Sequence, residues 1–167
     1  MDRDALRTLQ EPLKQRYRDQ PEAALVTLAA SGTLDDEITC TVRTGRALAT
    51  AGLHPATGGN GLSLCSGDML LEALVACAGV TLRAVATALE VPVAGGAVTA
   101  EGVLDFRGTL AVQRDAPVGF RSIALRFDLD APDADPEQLA TLLKLTERYC
   151  VVLQTLRGEP ELTVSAS

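Results

Sequence analysis

The chain has few aromatic residues and little positive charge. Its 167 residues include three Phe, two Tyr and no Trp, and 15 basic residues stand against 22 acidic ones, for a net charge of −7. Proteins bind single-stranded nucleic acids by stacking bases on aromatic rings, and they bind phosphate backbones and anionic surfaces through clustered Lys and Arg. We therefore expect neither nucleic acid nor a membrane as a partner.

Metal ligands and phosphate-binding motifs are also scarce. The single histidine, His54, lies beside Pro55, and no CxxC or HxxxH spacing occurs. A zinc site is not expected from this pattern. The glycine-rich segment 58–61 lacks the Lys-Ser/Thr pair of a phosphate-binding loop. We expect no metal and no cofactor.

The first twenty residues carry charges throughout and contain no apolar core of the kind found in secretory signals. The expectation is a cytoplasmic location. In a reducing compartment, cysteines are better read as thiols or redox pairs than as a structural disulfide framework. The chain has four of them: Cys40, Cys65, Cys77 and Cys150.

The apolar content of 47% is sufficient for one domain with a core. Leucines recur at helical spacing through residues 6–17, and Pro21 starts a second short helical stretch. From Glu37, two β-rich runs flank Thr44-Gly45, which predicts a hairpin. A central helix is predicted from a Ser66 cap to Leu89.

Three strands are predicted after this helix, at 97–106, 109–119 and 120–130. Asp135 and Pro136 then open a second helix, which ends near Cys150, and the chain closes with a strand over 160–167. This order of elements predicts an α+β fold, in which an antiparallel sheet packs on the central helix.

The central helix is long enough to span a bilayer, but Glu72 and Arg83 interrupt its apolar sequence. Because it is otherwise apolar all round, we interpret it as the long buried axis of a soluble fold.

Cys77 lies within this helix, in the apolar run LVACAGVTL. Its residue type and neighbours favour a packed core thiol over a reactive one. A reactive cysteine must be a thiolate at neutral pH. Since Cys77 is mid-helix, the N-terminus of its own helix cannot supply that stabilisation, so a cation from elsewhere is required.

Two motifs in order resemble a known family. Residues 68–77, DMLLEALVAC, are similar to the ELLLAALxxC helix of the OsmC/Ohr proteins (osmotically inducible protein C and organic hydroperoxide resistance). Residues 150–158, CVVLQTLRG, are similar to their CPxxxTLxG segment. The resemblance covers about residues 37–167, which predicts an OsmC-like domain over 35–167 and a helical N-terminal extension over 1–34.

The resemblance implies an intertwined homodimer and a thiol-dependent peroxidase acting on organic hydroperoxides. Cys77 would be the peroxidatic thiol and Cys150 the resolving thiol. Arg43, with Arg46 as the second candidate, would be the activating cation, and Asp68 its acidic partner. A dithiol of lipoyl type would reopen the disulfide. The alternative is a non-enzymatic OsmC-like dimer that binds an apolar small molecule.

Two departures from the family pattern bear on these roles. Val151 stands where the family has Pro. Asp68 is shorter than the family's Glu. Nine residues at 100° each also place it on the opposite side of an ideal helix from Cys77. Glu72 is the alternative acidic partner for the arginine. The family offers no role for Cys40 or Cys65.

Overall fold

The computed structural model describes residues 2–20, 31–34, 39–44, 47–111 and 114–166, and in segments between 31 and 48 it describes the backbone alone. The predicted second N-terminal helix lies outside the described residues. The helices are α1 (Arg3–Asp19), α2 (Ser66–Leu89), α3 (Phe106–Thr109), α4 (Pro136–Tyr149) and α5 (Val151–Arg157), with a 3-10 turn at Pro55–Thr57. The strands are β1 (Ser31–Leu34), β2 (Thr39–Thr44), β3 (Ala47–Gly52), β4 (Leu64–Cys65), β5 (Gly95–Leu104) and β6 (Phe120–Asp130).

The described strands form two sheets. The first has the order β1-β2-β3-β4, antiparallel except that the two-residue β4 runs parallel to β3. Thr44 pairs with Ala47, so β2 and β3 form the predicted hairpin. The second sheet pairs β5 with β6. Its strands are antiparallel, because Gly96 lies against the carbonyl of Asp128 while Gly102 lies against Phe120.

Several predicted elements are confirmed. Helix α1 covers the leucine pattern of the N-terminus. Helix α2 ends at Leu89 as predicted, but Ser66, the predicted cap, is its first helical residue. Helix α4 begins at Pro136 with a complete capping box: the Asp135 carboxylate accepts from Gln138 N, and the Gln138 side chain accepts from Asp135 N. Such reciprocal capping satisfies backbone donors that a helix start leaves unpaired.

Two predicted strands are wrong. None of the described residues of 109–119 forms a strand: Thr109 ends the short helix α3, which Asp105 caps, and Ala111 takes a left-handed φ of 55°. The C-terminal residues 159–166 also have no regular structure. A strand needs a partner strand for its backbone groups, and this segment has none within the described part of the chain. Residues 31–34, predicted to belong to the helical N-terminal extension, instead form the strand β1.

The expectation that α2 is buried all round is also wrong for the single chain. Its buried residues form one stripe of Leu74, Ala78, Leu82 and Ala86, whereas Leu70, Val80 and Leu89 are exposed. Among the described residues, α2 is the one helix long and apolar enough to cross a membrane, which by itself is weak evidence for doing so.

The chain divides into two compact units. The first contains Met1–Pro12, Ala73–Thr99 and Arg126–Ser167, and the second contains Leu13–Glu72 and Ala100–Leu125. The core of the first unit is a cluster of Leu82, Ala86, Val91 and Leu142. This cluster packs one face of α4 against α2. The further packing residues are Val85, Val93, Phe127, Leu129, Ala134, Leu139 and Leu143.

Candidate functional site

The site lies where the break between α4 and α5 meets the middle of α2. Cys150 ends α4 and begins α5, with an extended backbone at φ −72° and ψ 106°. Its amide donates to the carbonyl of Thr146 at 3.0 Å, and its carbonyl accepts from Gln154 N at 2.9 Å. Cys150 is completely buried, and Cys77 on α2 is partly buried.

The structure brings the two predicted redox cysteines together. The thiols of Cys77 and Cys150 are near enough for each to change the pKa of the other. Both are free thiols, as is Cys65. Neighbouring thiols are the kind of pair from which a disulfide can form.

Four neighbours act on the ionisation of Cys77. Burial raises the pKa of its thiol, but hydrogen bonds from Val152 N–H, the Cys150 thiol, the Thr81 hydroxyl and Val151 N–H together outweigh burial and lower the pKa below its ordinary value of 9.0. Each of these donors stabilises negative charge on sulfur.

Cys150 is shifted in the opposite direction. Burial is the largest cause that raises the pKa of the Cys150 thiol, and hydrogen bonds from Leu153 N–H and Val152 N–H offset it in part. The adjacent Cys77 raises it further, through their hydrogen bond and through charge repulsion. Two like charges in contact are unfavourable, so one thiol of such a pair ionises first. Of the two thiols, Cys77 is therefore the one that ionises first as pH rises.

These contacts correct one step of the sequence argument. Because Cys77 is mid-helix, we inferred that only a cation could stabilise its thiolate. The backbone N–H groups at the start of another helix, α5, also do so. The first N–H groups of a helix have no partner within it, so those at the start of α5 are available to a neighbouring sulfur. Sequence reasoning missed the N–H groups of Val151 and Val152, and it also missed Thr81. The four-residue spacing from Cys77 to Thr81 could have indicated that the two side chains share a helix face.

The remaining predicted residues lie in the second unit. Arg43 is in β2, paired with Leu48 of β3 and with Ser31 of β1. Arg46 lies outside the described residues. Asp68 is exposed in the first turn of α2, and Glu72 is exposed one turn later. The roles of Arg43 and Asp68 toward Cys77 stay predictions.

The other cysteines and the histidine occupy separate places. Cys65 is half-buried in β4, and Cys40 pairs with Leu34 and Ala51 in the first sheet. His54 accepts a hydrogen bond from Ala56 N at 3.0 Å and stacks on Phe106 with ring centroids 4.9 Å apart. No cluster of three potential metal ligands occurs among the described residues.

Comparisons with known proteins agree with this arrangement. The family model described as OsmC-like protein matches residues 58–165, a range that includes α2, Cys77 and Cys150. No curated protein matches the chain.

Solved structures resemble the fold. An OsmC-like protein from Mycoplasma pneumoniae is 17% identical with a TM-score of 0.67, over 80% of this chain and 89% of the other. An organic hydroperoxide resistance protein OsmC from Legionella pneumophila is 18% identical with a TM-score of 0.62, over 81% and 92%. The organic hydroperoxide resistance protein OhrB of Bacillus subtilis is 18% identical with a TM-score of 0.53, over 81% and 93%. At these identities the likeness establishes the α+β fold alone.

Proposed function

The chain belongs to the OsmC-like protein family, and from this premise we propose that it is a thiol-dependent peroxidase that reduces organic hydroperoxides. The observation that carries the proposal is the contact between Cys77, whose thiol has a lowered pKa, and the buried Cys150, whose thiol has a raised one. A peroxidatic site needs a thiolate that reacts first and a protonated thiol within reach of the product.

The reaction proceeds in three steps. The Cys77 thiolate attacks the terminal oxygen of the hydroperoxide, the O–O bond breaks, and the alkoxide leaves as an alcohol after taking a proton. Cys77 is then a sulfenic acid. The Cys150 sulfur attacks the Cys77 sulfur, the S–O bond breaks, water leaves, and a disulfide forms. A dithiol reductant, of lipoyl type by resemblance to the family, exchanges with this disulfide and restores both thiols.

Organic hydroperoxides are proposed as substrates because two related structures carry that description. The alternative is a non-enzymatic dimer that binds an apolar small molecule. Turnover of peroxide distinguishes the two, because only the peroxidase would show it. The proposed compartment is the cytoplasm, where the thiols Cys65, Cys77 and Cys150 would remain reduced.

We propose a homodimer as the functional form. In the single chain, the outward side of α2 exposes Ala73, Ala76 and Val80, with Val80 at 73% exposure. The C-terminal segment exposes Leu162 and Val164 at 85% and 96%. A second copy of the chain is the partner that would cover a long apolar helix and supply a strand partner for this segment.

The test is oxidation of the reduced protein by one equivalent of cumene hydroperoxide, in parallel with hydrogen peroxide. We expect a rapid loss of two hydrogens in the intact mass, located by non-reducing peptide mapping at Cys77 with Cys150, and faster with the organic peroxide. Cys77→Ser should abolish the reaction, Cys150→Ser should stop at a sulfenic acid, and Cys65→Ser should leave it unchanged. Unchanged thiols, or slow oxidation spread over Cys40 and Cys65, would favour the ligand-binding alternative.

Arg43 is proposed as a further activating group, with Asp68 as its partner. A guanidinium stays charged when partly buried, so it would stabilise both the thiolate and the developing alkoxide. In the same assay we expect Arg43→Ala to slow oxidation strongly and Asp68→Asn to slow it less. Arg46→Ala tests the second candidate, and Arg3→Ala, which removes the surface pair with Glu90, is the control. Wild-type speed in Arg43→Ala would exclude Arg43 as the activating cation.

A further inference from the structure

Helix α5 follows α4 directly, and Cys150 is the one residue between them. The two helices are anchored differently. Helix α4 contributes Leu142 to the core, and the buried Thr146 hydroxyl donates to the Leu142 carbonyl at 2.8 Å. None of the seven residues of α5 is buried. Core packing therefore holds α4 more firmly than α5, and the direction in which α5 leaves Cys150 depends on the bonds that join the two helices.

The first of these bonds satisfies a carbonyl that loses its usual partner at the helix break. In a continuous helix the Glu147 carbonyl would accept from the N–H of Val151, four residues later. Val151 instead begins α5, because the extended backbone of Cys150 interrupts the helix. The Gln154 side-chain amide donates to the Glu147 carbonyl at 2.7 Å. A side chain of α5 thereby caps the last turn of α4.

A second side chain of α5 reaches the same residue. Arg157 Nη1 donates to the Glu147 carboxylate at 3.0 Å. Gln154 and Arg157 are three residues apart, so they share one face of α5. The ion pair is exposed on both sides, at 57% and 50%, and such pairs contribute little. The Gln154 bond to a helix-end carbonyl is therefore the stronger of the two.

We propose that Gln154 is a positioning residue for Cys150: its amide fastens α5 back onto Glu147 and so holds the helix break at the angle that directs the Cys150 sulfur toward Cys77. The importance of this role in turnover rests on the proposed peroxidase function. The bond also has a consequence that is measurable without peroxide. A disulfide requires a specific geometry of its two sulfurs, and a fixed helix break favours that geometry in the reduced protein.

The proposed role acts on the step that resolves the sulfenic acid. In this step the Cys150 sulfur attacks the Cys77 sulfur, the S–O bond breaks, and the hydroxide leaves as water with the proton of the Cys150 thiol. Slower resolution gives a second peroxide time to oxidise the sulfenic acid to the sulfinic acid. Loss of the Gln154 amide should therefore increase the fraction of Cys77 that is overoxidised.

The test measures the Cys77–Cys150 disulfide of the full-length protein at equilibrium with reduced and oxidised dithiothreitol. This exchange moves two electrons and two protons between the two dithiols, so it needs no peroxide. Gln154→Met keeps the length of the side chain but removes the donor. We expect it to lower the equilibrium constant for disulfide formation about two- to tenfold, because the freed break must be ordered again when the disulfide forms. Gln154→Lys, which retains a donor of similar reach, should restore the wild-type value.

Gln138→Met is the matched control. It makes the same chemical change at the other end of α4, where the Gln138 side chain accepts from Asp135 N in the capping box. It should lower the stability of α4 and leave the disulfide equilibrium unchanged. Gln154→Glu is a second variant without the amide donor, in case methionine disturbs the packing of α5, and circular dichroism verifies that each protein is folded.

The outcomes separate this proposal from the peroxidase proposal. A wild-type protein that forms no Cys77–Cys150 disulfide, or an equilibrium that does not move in Gln154→Met and Gln154→Glu, overturns the role of Gln154. An equilibrium that moves, is restored in Gln154→Lys and is unchanged in Gln138→Met supports the role even if the wild type does not reduce peroxide, in which case the peroxidase proposal alone fails. An equal shift in Gln138→Met, or no restoration in Gln154→Lys, would mean that a general loss of helix stability is responsible, and would also overturn the proposal.

Discussion

Cys77 and Cys150 show how two identical side chains acquire different chemistry from their surroundings. Both are desolvated, which raises the pKa of each thiol. Cys77 gathers enough hydrogen-bond donors to reverse this effect, whereas Cys150 is fully buried and faces the charge on Cys77. The sequence alone favoured a packed thiol at Cys77, because three of its four donors, Cys150, Val151 and Val152, come from a distant segment of the chain.

The opposite shifts predict the order in which the thiols react. Alkylation requires the thiolate, so the rate at each cysteine rises with pH and levels off above its pKa. Cys77 should approach its plateau at a lower pH than an ordinary thiol with a pKa of 9.0, and Cys150 should still be rising above that pH. Iodoacetamide modification between pH 6 and 10, quantified peptide by peptide in native protein, tests this order. The urea-unfolded protein, in which both cysteines should behave alike, is the reference; faster modification of Cys150 in the folded protein would contradict the assignment of roles.

At the scale of elements, the sequence predicts best the helices that carry their own boundary signals. Asp135, Pro136 and Gln138 specify the start of α4 locally, and β2 and β3, which pair with each other, are consecutive strands whose pattern is also local. Strands at 109–119 and 160–167 were predicted from composition, but a strand forms only where a partner is available. The pairing of β1 with β2 was not predicted, because no local sequence pattern indicates that these two segments pair.

The junction between α4 and α5 supplies the second element-scale prediction. Val151 is the first residue of α5, and its N–H donates to the Cys77 thiolate. Proline, the family residue at this position, has no N–H but fits the first position of a helix. The preceding residue, Cys150, is already extended, as a residue before proline prefers. Helix α5 is also held to α4 by the bonds of Gln154 and Arg157 to Glu147.

Val151→Pro should therefore leave the fold intact while it removes one donor from the thiolate. We expect the pKa of Cys77 to rise and the rate of its modification at neutral pH to fall only severalfold, because the Val151 N–H is the smallest of the four contributions that lower this pKa. Val151→Ala, which keeps the N–H, is the control. Thiolate absorbance at 240 nm followed against pH measures the shift, and an unchanged titration in the proline variant would show that this N–H contributes nothing.

At the scale of the whole molecule, the long helix α2 explains why the sequence overestimated burial. Its apolar residues surround the helix, yet the single chain covers only the stripe from Leu74 to Ala86. A sequence reports that a surface is apolar, but not whether its own chain or another molecule covers it. The exposed face of α2 and the C-terminal segment, which has no strand partner among the described residues, are both surfaces that the proposed second subunit would cover.

The proposed homodimer predicts a specific response to charge on the exposed face of α2. Sedimentation or light scattering should give the wild-type protein a mass of twice the 17.5 kDa chain. Val80→Glu would bury an unpaired carboxylate in the proposed interface, which is costly, and should shift the protein toward monomer at micromolar concentration. Val118→Glu, at a position with a similar exposure of 65% in the loop before β6, should remain dimeric. If wild type sediments as a monomer at all concentrations, or if Val80→Glu stays dimeric, α2 is not the interface, and another partner must cover its apolar side.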